Sequence, residues 1–285
     1  MTMEILKIEG LCKRYPAFAL DHVSFSMESG TIMGFIGRNG AGKTTTLKCM
    51  LHLAHPDEGT VTLCGLDMDA HEREIRARIG FVSGGISYYQ RKRIGALTAV
   101  TKQFYPDWDE ARYARLLRQF ALDENKRVCE LSEGMKVKYQ LAVAMSHRAQ
   151  LLILDEPTSG LDPVSRDELT EVFRGLCERE GAAILFSTHI TSDLDACADT
   201  VTYIQNGRIV LSEDRKALTG AYVTLRGDDA ACPDALRQKL IGARSHKGEL
   251  EALMRRSDAP LAAGLRAEPA DLEQIMVHLE REATV

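Results

Sequence analysis

The chain has 285 residues, 45% of them hydrophobic and 27% charged, which excludes a disordered, collagen-like or rod-like protein and allows one large domain with a small appendage. With 36 basic against 41 acidic residues the formal net charge is −5, which argues against a general nucleic-acid binder but leaves room for a local nucleotide pocket. No apolar run approaches the ~20 residues of a membrane span. The opening MTMEILKIEG carries an acid and alternates at once, so no leader is expected there and the cytosol is the expected compartment.

Partial period-two alternation (Ile5, Ile8, Leu11, then Val23, Phe25, Met27) predicts strands over the first stretch, broken at Pro16 and at Ser29-Gly30. Residues 31–36 form a compact apolar strand that runs into a glycine-rich loop, with a helix from Lys43 to about Leu53. A turn at Pro56-Asp57-Glu58-Gly59 precedes a strand over 60–63, a polar helix over about 70–77 and a strand over 79–82. The character then becomes helical: Tyr113, Leu116, Leu117 and Phe120 make one apolar stripe on a helix that can begin at Asp107, and a second helix runs over 132–146. Buried strands are expected over 151–154 and 182–187, then a hairpin of 201–204 with 208–211 turned by Asn206-Gly207. Beyond Thr219 the pattern predicts a strand over 222–225, a helix from Pro233, and a last helix with Leu272, Ile275, Met276 and Leu279 on one face.

Cysteines stand at 12, 49, 64, 129, 177, 197 and 232, an odd number with no CxxC pair, which suggests reduced thiols. Cys49, His52 and His55 have helical spacing, so a metal site there stands beside the plainer alternative of packing and surface positions.

Chemistry concentrates at two segments. Gly37-Arg38-Asn39-Gly40-Ala41-Gly42-Lys43-Thr44 fits G-x-x-x-x-G-K-[ST] between a predicted strand and a predicted helix. Its glycines let backbone N–H groups turn toward a phosphate at the helix N-terminus, Lys43 balances charge, and Thr44 offers an oxygen to Mg²⁺. The strand over 151–154 then delivers Asp155, suited to Mg²⁺, and Glu156, suited to accept a proton from an attacking water.

With these motifs in this order, residues 3–218 resemble the ATP-binding cassette (ABC) family. Leu131-Ser132-Glu133-Gly134-Met135 resembles its signature loop, usually LSGGQ, and Ser159-Gly160-Leu161-Asp162 its D-loop. His189 in Ser187-Thr188-His189 resembles the switch histidine, and Tyr15 after Lys13-Arg14 the aromatic that stacks on adenine. The resemblance implies an α/β fold: a P-loop NTPase core of the ABC type over 1–218, with an antiparallel β subdomain and a helical subdomain at about 84–147. A small α+β C-terminal appendage is expected over 219–285. The implied cofactors are ATP and Mg²⁺, the metal on Thr44 and Asp155, with Glu156, His189 and Lys43 catalytic. Nucleotide-binding positions would be Tyr15, Gly37, Asn39, Gly40, Ala41, Gly42, Lys43, Thr44, Thr45, Ser132, Gly134 and Asp162.

The resemblance also implies partners. A second ATPase subunit, identical or a sister chain, pairs head to tail so that each signature loop caps the other's ATP. An integral membrane transporter subunit, on a separate polypeptide, holds the pair at the inner face of the membrane. Gln90-Arg91-Lys92-Arg93 either faces that subunit or is a solvated helix end. The pattern looks most like bacterial exporter ATPases of the drug and antibiotic-peptide group, and no nucleic acid is expected. Two positions depart from the family: Glu133 replaces a glycine, and Gly84 stands where a glutamine normally touches Mg²⁺ and water. Hydrolysis is still expected, because Lys43, Glu156 and His189 are present. The alternatives are a soluble ABC protein acting on ribosomes or DNA, or a non-hydrolysing regulatory cassette. A P-loop kinase or GTPase leaves the signature loop and His189 without a role.

Overall fold

Alternating burial shapes the first two strands, β1 (Glu4–Tyr15) and β2 (Phe18–Glu28), which form an antiparallel hairpin with Ile8, Leu11, Val23 and Phe25 turned inward. The structure, a computed structural model, describes residues 3–83, 89–262 and 264–282 and divides into two compact units, Met1–Ser212 and Glu213–Val285. The boundary expected after residue 218 falls earlier, because residues 215–221 form a helix that belongs to the second unit.

In the first unit, β3 (Ile32–Ile36) leads into α1 (Lys43–Met50), followed by β4 (Glu58–Leu63), β5 (Leu66–Asp67), α2 (Met68–Arg78) and β6 (Ile79–Ser83). Helix α1 stops three residues before the expected Leu53, where the chain turns and His52 takes a positive φ of 52°. A helical segment follows with α3 (Ile94–Thr101), α4 (Glu110–Gln119) and α5 (Glu133–Ser146), then β7 (Leu151–Asp155), α6 (Pro163–Glu180), β8 (Ala183–Thr188), α7 (Thr191–Cys197), β9 (Thr200–Gln205) and β10 (Arg208–Asp214). Helix α4 begins later than Asp107 because Asp109 serves as its N-cap, accepting from the Arg112 N–H at 2.9 Å.

Two sheets result, a four-stranded one in the order β2-β1-β4-β5 and a six-stranded one in the order β10-β9-β3-β8-β7-β6. Strands β3, β8, β7 and β6 run parallel; β3, β8 and β7 read as buried runs because both their faces are covered, whereas the edge strand β6 leaves Phe81 and Ser83 exposed. One core cluster joins the inward faces of both sheets to α1 through Leu6, Leu11, Phe25, Leu47, Ile153 and Leu185. In the helical segment, the Thr98 hydroxyl lies 2.7 Å from the Tyr113 hydroxyl and 2.9 Å from that of Tyr139, which ties α3, α4 and α5 together by a satisfied buried network.

The second unit contains more sheet than the sequence pattern predicts. It comprises α8 (Arg215–Ala221), β11 (Tyr222–Asp228), α9 (Asp234–Arg237), β12 (Ile241–His246), β13 (Glu249–Arg255), β14 (Arg266–Pro269) and α10 (Leu272–Glu282). Its sheet has the order β12-β13-β11-β14, and the helix from Pro233 is a single turn. Strands β12 and β14 escape detection because they are almost wholly exposed and carry no alternation. Strand β12 reaches its hairpin partner β13 through Lys247-Gly248, both at positive φ (54° and 85°), a two-residue turn that lacks the usual asparagine or aspartate, while β14 pairs with β11.

Candidate functional site

Three neighbouring strand ends build the site. Because the sheet order places β8 between β3 and β7, with Ile36 level with Thr188 and Ser187 level with Asp155, the loops leaving these strands meet at one edge. They enclose a cleft of ≈ 560 Å³ lined by Asn39, Gly40, Gly42, Lys43, Thr44 and Thr45 from one side and by Glu156, Ser159 and His189 from the other.

The loop after β3 wraps around the Lys43 ammonium, which is 5% exposed and donates to the carbonyls of Gly37 at 2.6 Å and Arg38 at 3.3 Å. Gly42 caps α1 at φ 116°, and a Cβ there would stand 2.8 Å from Leu20 and 2.9 Å from Phe18, so glycine is required both for the turn and for the packing. The first N–H groups of α1 have no intrahelical partner, so they and the positive end of the helix face the cleft as an anion-binding arrangement. Ala41 is buried, its carbonyl accepting from the Gly207 N–H at 2.9 Å.

Opposite, Glu156 bridges the two cationic or polar partners: its Oε1 lies 3.1 Å from Lys43 Nζ and its Oε2 2.8 Å from His189 Nδ1. Its backbone sits at φ 50°, an uncommon conformation for a glutamate, held by its N–H donating to Ser187 Oγ at 2.9 Å. Ser187 in turn donates to Asp155 Oδ1 at 2.7 Å. The Thr44 hydroxyl lies 2.9 and 3.1 Å from the two Asp155 carboxylate oxygens. This all-oxygen donor pair beside a phosphate-type loop fits a small hard cation such as Mg²⁺.

The turns that carry Glu156 and His189 are pinned from behind. Buried Asp193 accepts from the hydroxyls of Thr158 at 2.7 Å and Thr188 at 3.2 Å, with Arg166 Nε 3.6 Å from its other oxygen. Sequence reasoning missed Asp193, Thr158 and Ser187. The available signal was an acid in the first turn of α7, two residues after a strand–His–helix junction. It also missed α6, although Asp162-Pro163 starts it and Gly181 ends it.

The remaining predicted residues sit elsewhere. Tyr15 is exposed at the end of β1 in register with Phe18, and it is Ala17 and Phe18 that line the cleft. Ser132 caps α5 by accepting from the Met135 N–H at 3.2 Å, and Asp162 caps α6 by accepting from Val164 and Ser165. The Ser165 hydroxyl and amide hold the Asp162 carboxyl below its ordinary range. Neither Ser132, Gly134 nor Asp162 lines the cleft within one chain. Glu133 is paired with Lys136 at 2.6 Å and lines a neighbouring pocket of ≈ 420 Å³ with Ser83, Asp155 and Glu156. Gly84 lies outside the described residues. Cys49 is buried and His52 points to Asp69 at 3.4 Å, so among the described residues Cys49, His52 and His55 do not form a metal grouping, in line with the plainer alternative of packing and surface positions.

Comparison with known proteins gives the same direction. Residues 20–159 match the sequence profile described as "ABC transporter". The chain is 33% identical to the Nod factor export ATP-binding protein I of Burkholderia orbicola, with 98% of each chain covered. It is 34% identical to the ABC transporter ATP-binding protein NatA of Bacillus subtilis (74% of this chain, 87% of that one) and 33% to the bacitracin transport ATP-binding protein BcrA of Bacillus licheniformis (72% and 68%). A solved ATP-binding subunit of an ABC transporter is 28% identical and superposes with a TM-score of 0.67, covering 75% of this chain and 91% of that one.

Proposed function

The chain belongs to the ATP-binding cassette (ABC) transporter family as an ATP-binding, ATP-hydrolysing subunit, and from that premise we propose that it drives a separate membrane-spanning chain as an exporter. The observation that carries the catalytic part is the chain of contacts Lys43–Glu156–His189 across one cleft, with Thr44 and Asp155 beside it. The exporter direction is supported by relatives whose names specify export of Nod factor.

In this reading the β-phosphate lies in the loop amides after Gly37, and Lys43 leaves Glu156 to meet the phosphate charge. Glu156, released from the ammonium, accepts the proton of the attacking water, while His189 holds its other oxygen and fixes the carboxylate's orientation. Thr44 and Asp155 would hold Mg²⁺, which would supply charge neutralisation of the phosphates. The base would pack on Phe18, which lines the cleft, with its exposed ladder partner Tyr15 next to it. Ser132, Gly134 and Asp162, which do not line their own chain's cleft, cap that of a second subunit paired head to tail in this reading. The Lys136 ammonium offsets the charge that Glu133 brings to that loop.

Contact with the membrane chain is assigned to a groove of ≈ 570 Å³ between β6 and the helical segment, lined by Phe81, Tyr89, Lys92, Val100, Tyr105 and Val143 among others. No helix among the described residues is long and apolar enough to cross a membrane, in keeping with spans on another polypeptide and a position at the inner face of the membrane through that partner. The test is affinity purification of the tagged chain from mild-detergent extracts, followed by reconstitution of the purified assembly in vesicles. A multi-span membrane protein recovered in near-equal amount, with ATP-driven movement of a solute away from the chain's side, is the expected result. Recovery of ribosomal or DNA-bound partners without a membrane protein overturns it.

A further inference from the structure

We propose that Cys12, His22 and Glu58, on three adjacent strands, form a binding site for a borderline divalent cation of the zinc class. Their ligand atoms, one thiol sulfur, one ring nitrogen and one carboxylate oxygen, already lie within 4.8 Å of one another. Metal–ligand bonds of 2.0–2.3 Å at tetrahedral angles put ligand atoms about 3.5 Å apart, so closing the site takes a shift of about 1 Å. Cys12 is buried, whereas His22 and Glu58 are exposed, so side-chain rotation can make that shift once Glu58 leaves its surface ion pair with Arg14.

The backbone has been shaped to bring the three together. In the β1–β2 ladder Leu11 pairs with Val23 and Lys13 with Leu20, so β2 carries one extra residue opposite Cys12. That bulge contains His22 at φ 51°, a left-handed conformation that histidine seldom adopts, and the His22 N–H donates to Cys12 Sγ at 3.3 Å. On the other side, Cys12 is the direct ladder partner of Glu58, so their side chains share a face. The sulfur therefore sits between its two co-ligands, on neighbouring strands of the order β2-β1-β4.

An independent observation marks the histidine as prepared for a cation. Its Nδ1 lies 2.5 Å from Asp21 Oδ1, and Asp21 is itself bound by Arg208. A carboxylate on one ring nitrogen fixes the tautomer and directs the lone pair of the other outward, the arrangement found behind metal-bound histidines. With the thiol deprotonated, the set carries two negative charges against a divalent cation, so the filled site is neutral. The soft sulfur and the imidazole select zinc over the magnesium expected at the all-oxygen Thr44–Asp155 pair. Glu58 must leave Arg14, which it meets at 3.0 Å, but that pair is exposed and opens at little cost, while the Arg14 N–H stays on Asp57 at 2.7 Å. Three protein ligands leave one position for water, and the bound cation staples three strands of the antiparallel sheet.

The test uses the full chain, reduced and stripped of metal, titrated with Co²⁺ and followed through the thiolate-to-cobalt charge-transfer absorption. The expected result is a band that saturates at one equivalent, is abolished in Cys12→Ser, and persists in the exposed-thiol control Cys129→Ser. His22→Asn, chosen because asparagine tolerates the left-handed backbone, loses the band, and Asp21→Asn weakens binding about 10–100-fold. Zn²⁺ raises the thermal midpoint of the wild type and of Cys129→Ser but not of His22→Asn. A band that survives in Cys12→Ser or His22→Asn, or no band in the folded wild type, overturns the proposal. Because His22 is exposed, its variant decides the matter even where the core substitution at Cys12 impairs folding.

Discussion

Replacing Glu156 by glutamine separates the two jobs that its carboxylate is argued to do. The substitution keeps the shape, the backbone at φ 50° and a group able to meet His189, but it removes the proton acceptor and the partner of Lys43. General-base assistance contributes about 10²–10⁴-fold, so turnover should fall by that factor, or roughly 3–5 kcal/mol of barrier. Binding should move the other way. A pair 3.1 Å apart is worth roughly 5 kcal/mol of Coulomb attraction at an effective dielectric near 20, and ATP must compete with it for Lys43. Water and the Gly37 and Arg38 carbonyls recover most of that, so nucleotide affinity rises by about tenfold or less and does not fall. Phosphate release at saturating Mg-ATP measures the first effect, and titration with a fluorescent ATP analogue the second. Turnover within tenfold of wild type would refute the assignment of Glu156 as base. Loss of nucleotide binding comparable with that of Lys43→Ala would refute the competition argument.

Thr44→Val removes the hydroxyl that shares Asp155 and should abolish most of the gain in ATP affinity on adding Mg²⁺, while Thr44→Ser retains it; isothermal titration with and without EDTA decides. Gly207→Ala places a Cβ 1.9 Å from the Ala19 carbonyl oxygen at φ 77°, and should cost about 2–4 kcal/mol in denaturant unfolding; a loss under about 1 kcal/mol would show that the hairpin yields. His278 is buried against the Gly242 carbonyl at 2.9 Å, and burial holds its pKa below the ordinary histidine value. The unfolded chain therefore takes up the proton first as pH falls through about 6.5, so the stabilisation present above that value is lost below it. His278→Gln should flatten the dependence of the urea midpoint between about pH 7.5 and 5.5, a slope to which His147, also depressed by burial, contributes separately.

The phosphate loop and the acidic pair were legible in the sequence because each is local, whereas the cleft-lining Ala17 and Phe18 were not. The loop from Gly37 to Thr44 and the pair Asp155-Glu156 are set by a strand, a turn and a helix in succession, and short-range sterics determine what such a run does. The parallel strands were legible too, since burial on both faces leaves an uninterrupted apolar run. Tertiary structure decided what depends on strand order. Only the sequence of neighbours β3-β8-β7 brings Lys43 within 3.1 Å of Glu156, residues more than a hundred positions apart, and only it recruits Ser187 and Asp193 behind them. The same holds for Cys12, His22 and Glu58, whose meeting depends on a one-residue bulge that no periodicity records. Exposed strands such as β12 and β14 were hidden for the complementary reason: edge pairing is a main-chain interaction, and a residue that buries no side chain leaves no pattern to read.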